Sequence, residues 1–463
     1  MKQKTFHMVS LGCAKNTVDS DSMAQILNHD GFSPVDTVPE AEVIIVNTCG
    51  FIGPARDESY QVLRQLSKEK QSGQLLIAAG CLTQRYGKEV IERVPGVDGI
   101  LGTRRWMDIL GVVNTLREGE HPEPLYHLPE VDTVGQDEKG TIRAHLQGTS
   151  SYIKIADGCR RPCAFCAIPD IKGTLVSRPM QAIIEEARIL RDHGVREVNL
   201  IAQDTTDYGH DLGKKNGLAQ LLENMTEAVP DLDWIRILYA YPGYVTDRLI
   251  EVMASNDQIL PYIDMPLQHG HPETLRRMRR PANVDWVYET VGKLRDAMPD
   301  LALRSTFIVG YPGETAEEFE TLLQFVEDLR FDRLGTFTFS FEPGTTSEPL
   351  GDPIPEEVKE ARKEELMVLQ QDISLAKNQA LVDQTLDVLI EGQGQVEGTS
   401  DMISLGRSYR DAPEIDGMVI VEGEVPVGEM VPVQITGAMV YDVTGIPVGE
   451  YRQDPRLVQV SEG

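Results

Sequence analysis

Six cysteines are the residues of this chain best suited to unusual chemistry, and they fall into two groups of three. The tighter group is Cys159, Cys163 and Cys166, a C-x3-C-x2-C run inside CRRPCAFC. Three thiolates within eight residues can wrap one soft metal centre. Zinc would ordinarily draw a fourth Cys or His to complete its tetrahedron. The nearest histidine, His145, lies on the far side of the preceding apolar run. Three thiolates with a fourth position open suit a four-iron, four-sulfur cluster that keeps one iron free for an outside ligand. Three unrelated core cysteines so close together, in a chain with only six, is the weaker alternative.

The second group, Cys13, Cys49 and Cys81, is spread out but shares one context: HMVSLGC, VIIVNTC and LLIAAGC each end an apolar run in a cysteine. Singly, each would be an ordinary small buried side chain. If the runs are neighbouring strands of a parallel sheet, their ends converge on one edge, where open α/β sheets bind ligands. Gly12, Gly50 and Gly80 flank these cysteines and let backbone approach a bulky group without a Cβ clash. A second metal site is therefore expected.

The elements needed to position both groups are visible in the pattern. Over the first 120 residues, short apolar strands at 6–11, 43–47, 75–79 and 99–102 alternate with helical stretches at 18–28, 56–70 and 87–94. That alternation implies right-handed βαβ units and a parallel sheet. Residues 121–148 hold three prolines and no lasting period, and read as a linker. From 149 to 377, six more strand–helix units follow, with strands at 152–156, 197–202, 234–239, 262–265, 303–309 and 334–340. A closed or partial (βα)6 barrel is expected, with function at the carboxyl ends of its strands. Residues 378–447 change to short Val/Ile-rich strands between glycine turns, the pattern of a small antiparallel barrel, and 448–463 form a tail.

Composition narrows the function classes. Hydrophobic content of 41% and charged content of 25% are those of a globular protein. No apolar run approaches the ~18 residues of a spanning helix, and the N-terminus lacks the h-region of a signal peptide. A cytoplasmic protein is expected, whose cysteines stay reduced and act as ligands or nucleophiles. The net charge of −29, from 73 acidic and 44 basic residues, counts against a broad nucleic-acid-binding face. Residues 378–463 carry fifteen acidic residues against four basic ones, Arg407, Arg410, Arg452 and Arg456. That surface would repel phosphate and attract a basic protein, with Glu422, Glu424 and Glu429 as candidate contacts.

With these residues in view, the chain closely resembles the methylthiotransferase family of radical S-adenosylmethionine enzymes over nearly its whole length. The resemblance covers a three-cysteine N-terminal domain, a radical barrel around DGCRRPCAFCAIPDIKGTLVSRP and a C-terminal TRAM barrel, which is OB-like. It implies that Cys159, Cys163 and Cys166 hold a 4Fe–4S cluster whose open iron binds S-adenosylmethionine for cleavage to a 5′-deoxyadenosyl radical. It also implies that Cys13, Cys49 and Cys81 hold an auxiliary 4Fe–4S cluster carrying the sulfur to be inserted, with a second S-adenosylmethionine supplying the methyl. Phe165, Gln203 and Gly310 match positions lining the cofactor pocket. A reductant such as flavodoxin or ferredoxin is implied as well.

SLGCAKNTVDS, IDMPLQHGHPETLRRMRRP and LGRSYRDAPEIDG are similar to the branch that modifies an aspartate of small-subunit ribosomal protein S-twelve, the RimO type. The tRNA-adenosine branch usually reads Pro-Val-Gln-Ser where this chain has Pro266, Leu267, Gln268 and His269. His269 itself is expected either to touch substrate or to cap a loop. Arg160 stands where the family usually has asparagine, which would change the electrostatics between two ligands. The alternatives are a tRNA-adenosine methylthiotransferase and, from a different class, an iron–sulfur carrier or redox sensor.

Overall fold

The computed structural model describes residues 4–119, 123–135, 140–396 and 401–449. Val43–Thr48 is buried at every position, as a parallel strand covered on both faces must be. Successive side chains point to opposite faces. Val43 and Ile45 enter a core with Met23 and Leu27 of the helix Ala14–His29. Ile44 and Val46 enter another with Tyr60 and Leu63 of the helix Gly53–Glu69. This strand sits inside a six-stranded sheet, between Thr5–Ser10 and Leu75–Gly80, with Gly99–Gly102 beyond. All pairings in the sheet are parallel.

The six expected barrel strands appear as Ser150–Lys154, Glu197–Ile201, Trp234–Ile237, Ile259–Asp264, Ala302–Val309 and Arg333–Thr338, parallel and in chain order. The 121–148 stretch contributes to both sheets: Leu125–His127 extends the first, and Ala144–Gln147 pairs antiparallel with Ser150–Lys154 at the edge of the second. Strands of three and four residues are too short to show a period in sequence.

The second sheet does not close on itself, so its concave face needs filling. Ala14 and Val18 pack against it from the first domain, and Tyr409 and Ala412 from the third, around Tyr152, Ile201 and Tyr262. The first helix starts at Ala14 and not at 18, and its polar first turn serves both sides: Asn16 binds the loops of its own sheet, and Lys15 sits over Tyr239 of the barrel. The third domain is a closed five-stranded barrel of Thr385–Gln395, Met402–Arg407, Val419–Glu422, Val443–Pro447 and Met430–Ala438. It departs from the all-antiparallel expectation at one pairing, Val419–Glu422 with Val443–Pro447, which is parallel.

Candidate metal centre

Parallel register brings the first cysteine group together. Ser10 lies opposite Asn47, and Asn47 and Thr48 lie opposite Ala79 and Gly80, so Cys13, Cys49 and Cys81 all follow at one edge. Asn16 ties the loops, donating to the carbonyls of Leu11 (2.9 Å) and Thr48 (3.1 Å), while the Cys81 thiol approaches Asn16 Oδ1 at 3.7 Å. Gly12 has φ +93°, and a Cβ there would stand 2.8 Å from Cys49 Cβ, so only glycine leaves room beside that thiol.

The second group lies in the loop after Ala156–Asp157. The Cys159 N–H donates to Gly173 O (3.0 Å), Ala164 N–H to Met278 O (2.8 Å) and Ser347 N–H to Ala164 O (2.8 Å), fastening the loop to later barrel segments. Gly158, at φ +73°, passes so close to Thr174 that a Cβ would lie 2.0 Å from its carbonyl oxygen. One guanidinium and one main-chain amide donate to the thiols. Arg280 Nη1 donates to Cys163 Sγ (3.5 Å) and stacks on Tyr241 at 4.2 Å, and the Arg161 N–H donates to Cys159 Sγ (3.5 Å). Arg161 is held by Asp204 (2.6 Å) and stacks on Tyr244 at 3.6 Å. Arg160 turns away to a bidentate pair with Asp207 (2.5 and 2.6 Å).

The donor set fits a thiophilic metal group. Burial pushes Cys81 up to about 12 and Cys159 up to about 11, and raises Cys49 and Cys166 as well. Such thiols stay protonated unless a metal takes the proton's place. Cys13 is the exception: it is exposed to solvent, and although its packed surroundings oppose ionisation, Lys15, the Asn16 amide and Lys172 outweigh them and lower its pKa. Among the described residues, no three Cys, His, Asp or Glu side chains converge on a single ion. A cluster would take each thiolate on a different iron, so its ligands would stand further apart than those of one ion.

The two groups touch. Cys81 packs in a cluster with Ala167, the residue after Cys166, and with Ile171 in the short helix beyond it. Arg85, four residues beyond Cys81, donates to the carbonyls of Gly50 (2.9 Å) and Phe51 (3.1 Å) and pairs with Glu342 of the barrel (2.7 Å), which also accepts from Gly53 N–H (2.7 Å).

The other expected site residues divide. Phe165 packs with Met278, Tyr311 and Phe339, which brings it beside the turn containing Gly310. Gly310 N–H donates to Glu314 (2.8 Å). Gln203 follows Glu197–Ile201, and its Oε1 is buried with no hydrogen-bond partner among the described residues, as an acceptor reserved for a ligand would be. His269 is buried; its Nδ1 accepts from His271 N–H at 2.9 Å and so caps the loop, while its Nε2 lies 3.6 Å from Glu314. His145 hydrogen-bonds Asp21 of the first helix (2.7 Å). Glu429 corrects the expected acidic contact face: it is buried and lies 3.7 Å from Arg196, whereas Glu422 and Glu424 are exposed. Arg407 and Arg410 are buried too, paired with Glu197 and Asp332, so no lysine or arginine is exposed on the described surface of the small barrel. Arg452 and Arg456 lie outside the described residues.

Sequence reasoning missed Arg280, Tyr241 and a buried ion network around Asp19. The signal available was a charged residue inside an otherwise apolar strand: Lys154 in SYIKIAD and Arg236 in WIRIL.

The chain matches the family models for the radical SAM superfamily at residues 153–326, for uncharacterized protein family UPF0004 at 5–102 and for the TRAM domain at 382–448. It is 49% identical to the ribosomal protein uS12 methylthiotransferase RimO of Chloroflexus aurantiacus, over 95% of this chain and 99% of that one. It is 45% identical to the protein of the same name from a Roseiflexus species, over 97% and 98%. Among solved structures it is similar to the radical S-adenosylmethionine methyltransferase TsrM of Kitasatospora setae. That match has a TM-score of 0.56 at 14% identity, covers 75% of this chain and 77% of that one, and concerns the fold alone. No helix among the described residues is long and apolar enough to cross a membrane. Three domain matches in the family's order and near-full-length identity lead to one conclusion: the chain belongs to the RimO family of ribosomal protein uS12 methylthiotransferases, within the radical SAM superfamily.

Proposed function

We propose that this protein replaces a C–H bond at the β-carbon of an aspartate in ribosomal protein uS12 with C–SCH3. The observation that carries this is the meeting of two three-cysteine sites across one contact, Cys81 against Ala167 and Ile171. In this reading Cys159, Cys163 and Cys166 hold one 4Fe–4S cluster beside S-adenosylmethionine, and Cys13, Cys49 and Cys81 hold a second. When bound, these groups supply the radical and the sulfur that ordinary acid–base side chains cannot deliver to an unactivated carbon. Residues 5–120 carry the auxiliary site, 149–377 the radical core and 378–447 the substrate-facing barrel.

The chain's own residues position and shield. Arg280 places positive charge beside Cys163, and the main-chain N–H of Arg161 donates to Cys159. Gln203 offers an unpaired acceptor to the cofactor, and Phe165 and Gly310 shape its pocket. Ala14 and Val18 on one side, with Tyr409 and Ala412 on the other, keep water out of the barrel interior. The exposed acids of the small barrel, Glu422 and Glu424 among them, attract a lysine- and arginine-rich ribosomal protein and repel tRNA. A soluble reductant such as flavodoxin or ferredoxin supplies electrons in the cytoplasm. Mass spectrometry of ribosomal proteins and tRNA from a strain lacking the gene tests the assignment. Loss of the methylthio group from uS12 with tRNA unchanged supports it. Loss of methylthioadenosine from tRNA with uS12 unchanged overturns it.

A further inference from the structure

The short helix Ile168–Lys172 starts two residues after Cys166 and ends in a buried lysine. Its Ile171 touches Cys81, so this one turn of chain connects the two cysteine sites. Lys172 belongs to a buried network spanning both domains. Asp19 of the first helix accepts from Arg143 (2.5 Å), Lys154 (2.5 Å) and Lys172 (2.9 Å). Asp157, two residues before Cys159, lies 3.2, 3.0 and 3.3 Å from the same three cations. Three cations face two carboxylates, all five nine-tenths or more buried. The neighbouring Glu186 does not restore the balance, because Arg178 already matches it at 2.5 Å. One surplus positive charge therefore remains in a low-dielectric position, where charges act strongly on each other. Lys172 directly follows Ile171, which clusters with Cys81, so this charge lies next to the Cys13–Cys49–Cys81 edge.

We propose that Lys172, anchored by Asp19 and Asp157, is a positioning residue for the Cys13–Cys49–Cys81 centre: its buried charge offsets that of the thiolate-held group and sets its reduction potential, while its helix fixes that centre against the Cys159–Cys166 loop. The proposal rests on the assignment of Cys13, Cys49 and Cys81 as cluster ligands. Reduction adds negative charge, so the surplus cation favours the reduced state and raises the potential.

The test uses the full chain carrying Cys159→Ala, Cys163→Ala and Cys166→Ala, reconstituted without oxygen, so that only this centre is observed. Iron content and the midpoint of a spectroscopic reductive titration are measured with Lys172, Lys172→Met and Lys172→Arg. Lys172→Met is expected to keep its iron and lower the reduction equilibrium about tenfold, ~59 mV for one electron, with Lys172→Arg restoring it. An unchanged midpoint in Lys172→Met overturns the proposal. Should that variant lose its iron, Asp157→Asn decides. Removing a carboxylate enlarges the surplus, so a higher midpoint supports the proposal and an unchanged or lower one overturns it. A parent variant that binds no iron at all instead overturns the ligand assignment, and the proposal with it.

Discussion

Glu197 and Arg407 stand 210 positions apart and meet as a buried bidentate pair, with N···O distances of 2.5 and 3.2 Å. Arg236 donates to the same carboxylate at 2.9 Å. The pair joins the start of a radical-barrel strand to the TRAM barrel, and it does so without solvent: Glu197 is 0% exposed and Arg407 5%. Two guanidiniums on one carboxylate are stable only while all partners stay.

Removing that carboxylate leaves buried Arg236 with no carboxylate partner and Arg407 with Glu391 alone. Glu197→Gln is expected to destabilise the protein by about 3–5 kcal/mol, measured as a shift in urea midpoint at pH 7. Burial alone would push the Glu197 carboxyl up, but Arg407 and Arg236 outweigh it and hold it at about 2, below the ordinary value near 4.5. A carboxyl lowered on folding contributes fully above 4.5 and ceases to contribute as pH falls through about 2. The gap between wild type and Glu197→Gln should therefore narrow across that window. A gap that stays constant from pH 6 to pH 3 would contradict the pairing.

Glu342 locks the first domain to the barrel through Arg85 and Gly53. Glu342→Ala should leave the iron content unchanged but loosen the contact between the two cysteine sites. The expected signature is uncoupling, with several-fold more 5′-deoxyadenosine released per methylthio group transferred. An unchanged ratio would show that this lock does not govern transfer.

The acidic barrel makes a salt-dependent prediction. Exposed charges contribute only ~0–1 kcal/mol each and are screened by salt, so Glu422→Gln with Glu424→Gln should weaken uS12 binding several-fold at low salt and little at high salt. Adding Glu429→Gln should cost stability instead, because Glu429 is buried near Arg196. Binding of the full-length protein to uS12 across a salt series reads the first effect, and thermal unfolding the second.

What was legible in the sequence follows from how each feature encodes itself. Parallel strands buried on both faces read as apolar runs, so Val43–Thr48 and the six barrel strands were visible. Cysteines ending three such runs pointed to one sheet edge, because parallel pairing aligns strand ends. The segments Leu125–His127 and Ala144–Gln147 were not visible, since edge strands this short are set by their neighbours. Nor was the contact of Cys81 with Ala167 and Ile171, or the network joining Asp19 to Lys154 and Lys172, 135 and 153 positions away. Such pairs leave no local period. Glu429 looked like its exposed neighbours because one sequence shows charge without showing which way it turns.

The most direct test of two separate metal centres is iron content after reconstitution of paired triple variants. The wild-type chain should bind about eight irons as two four-iron clusters. Cys159→Ala, Cys163→Ala and Cys166→Ala together should leave roughly half of it and abolish 5′-deoxyadenosine formation. Cys13→Ala, Cys49→Ala and Cys81→Ala together should leave the other half, with 5′-deoxyadenosine still made and no methylthio product. Full iron content in the second variant would contradict the account, since those three thiols would then hold nothing.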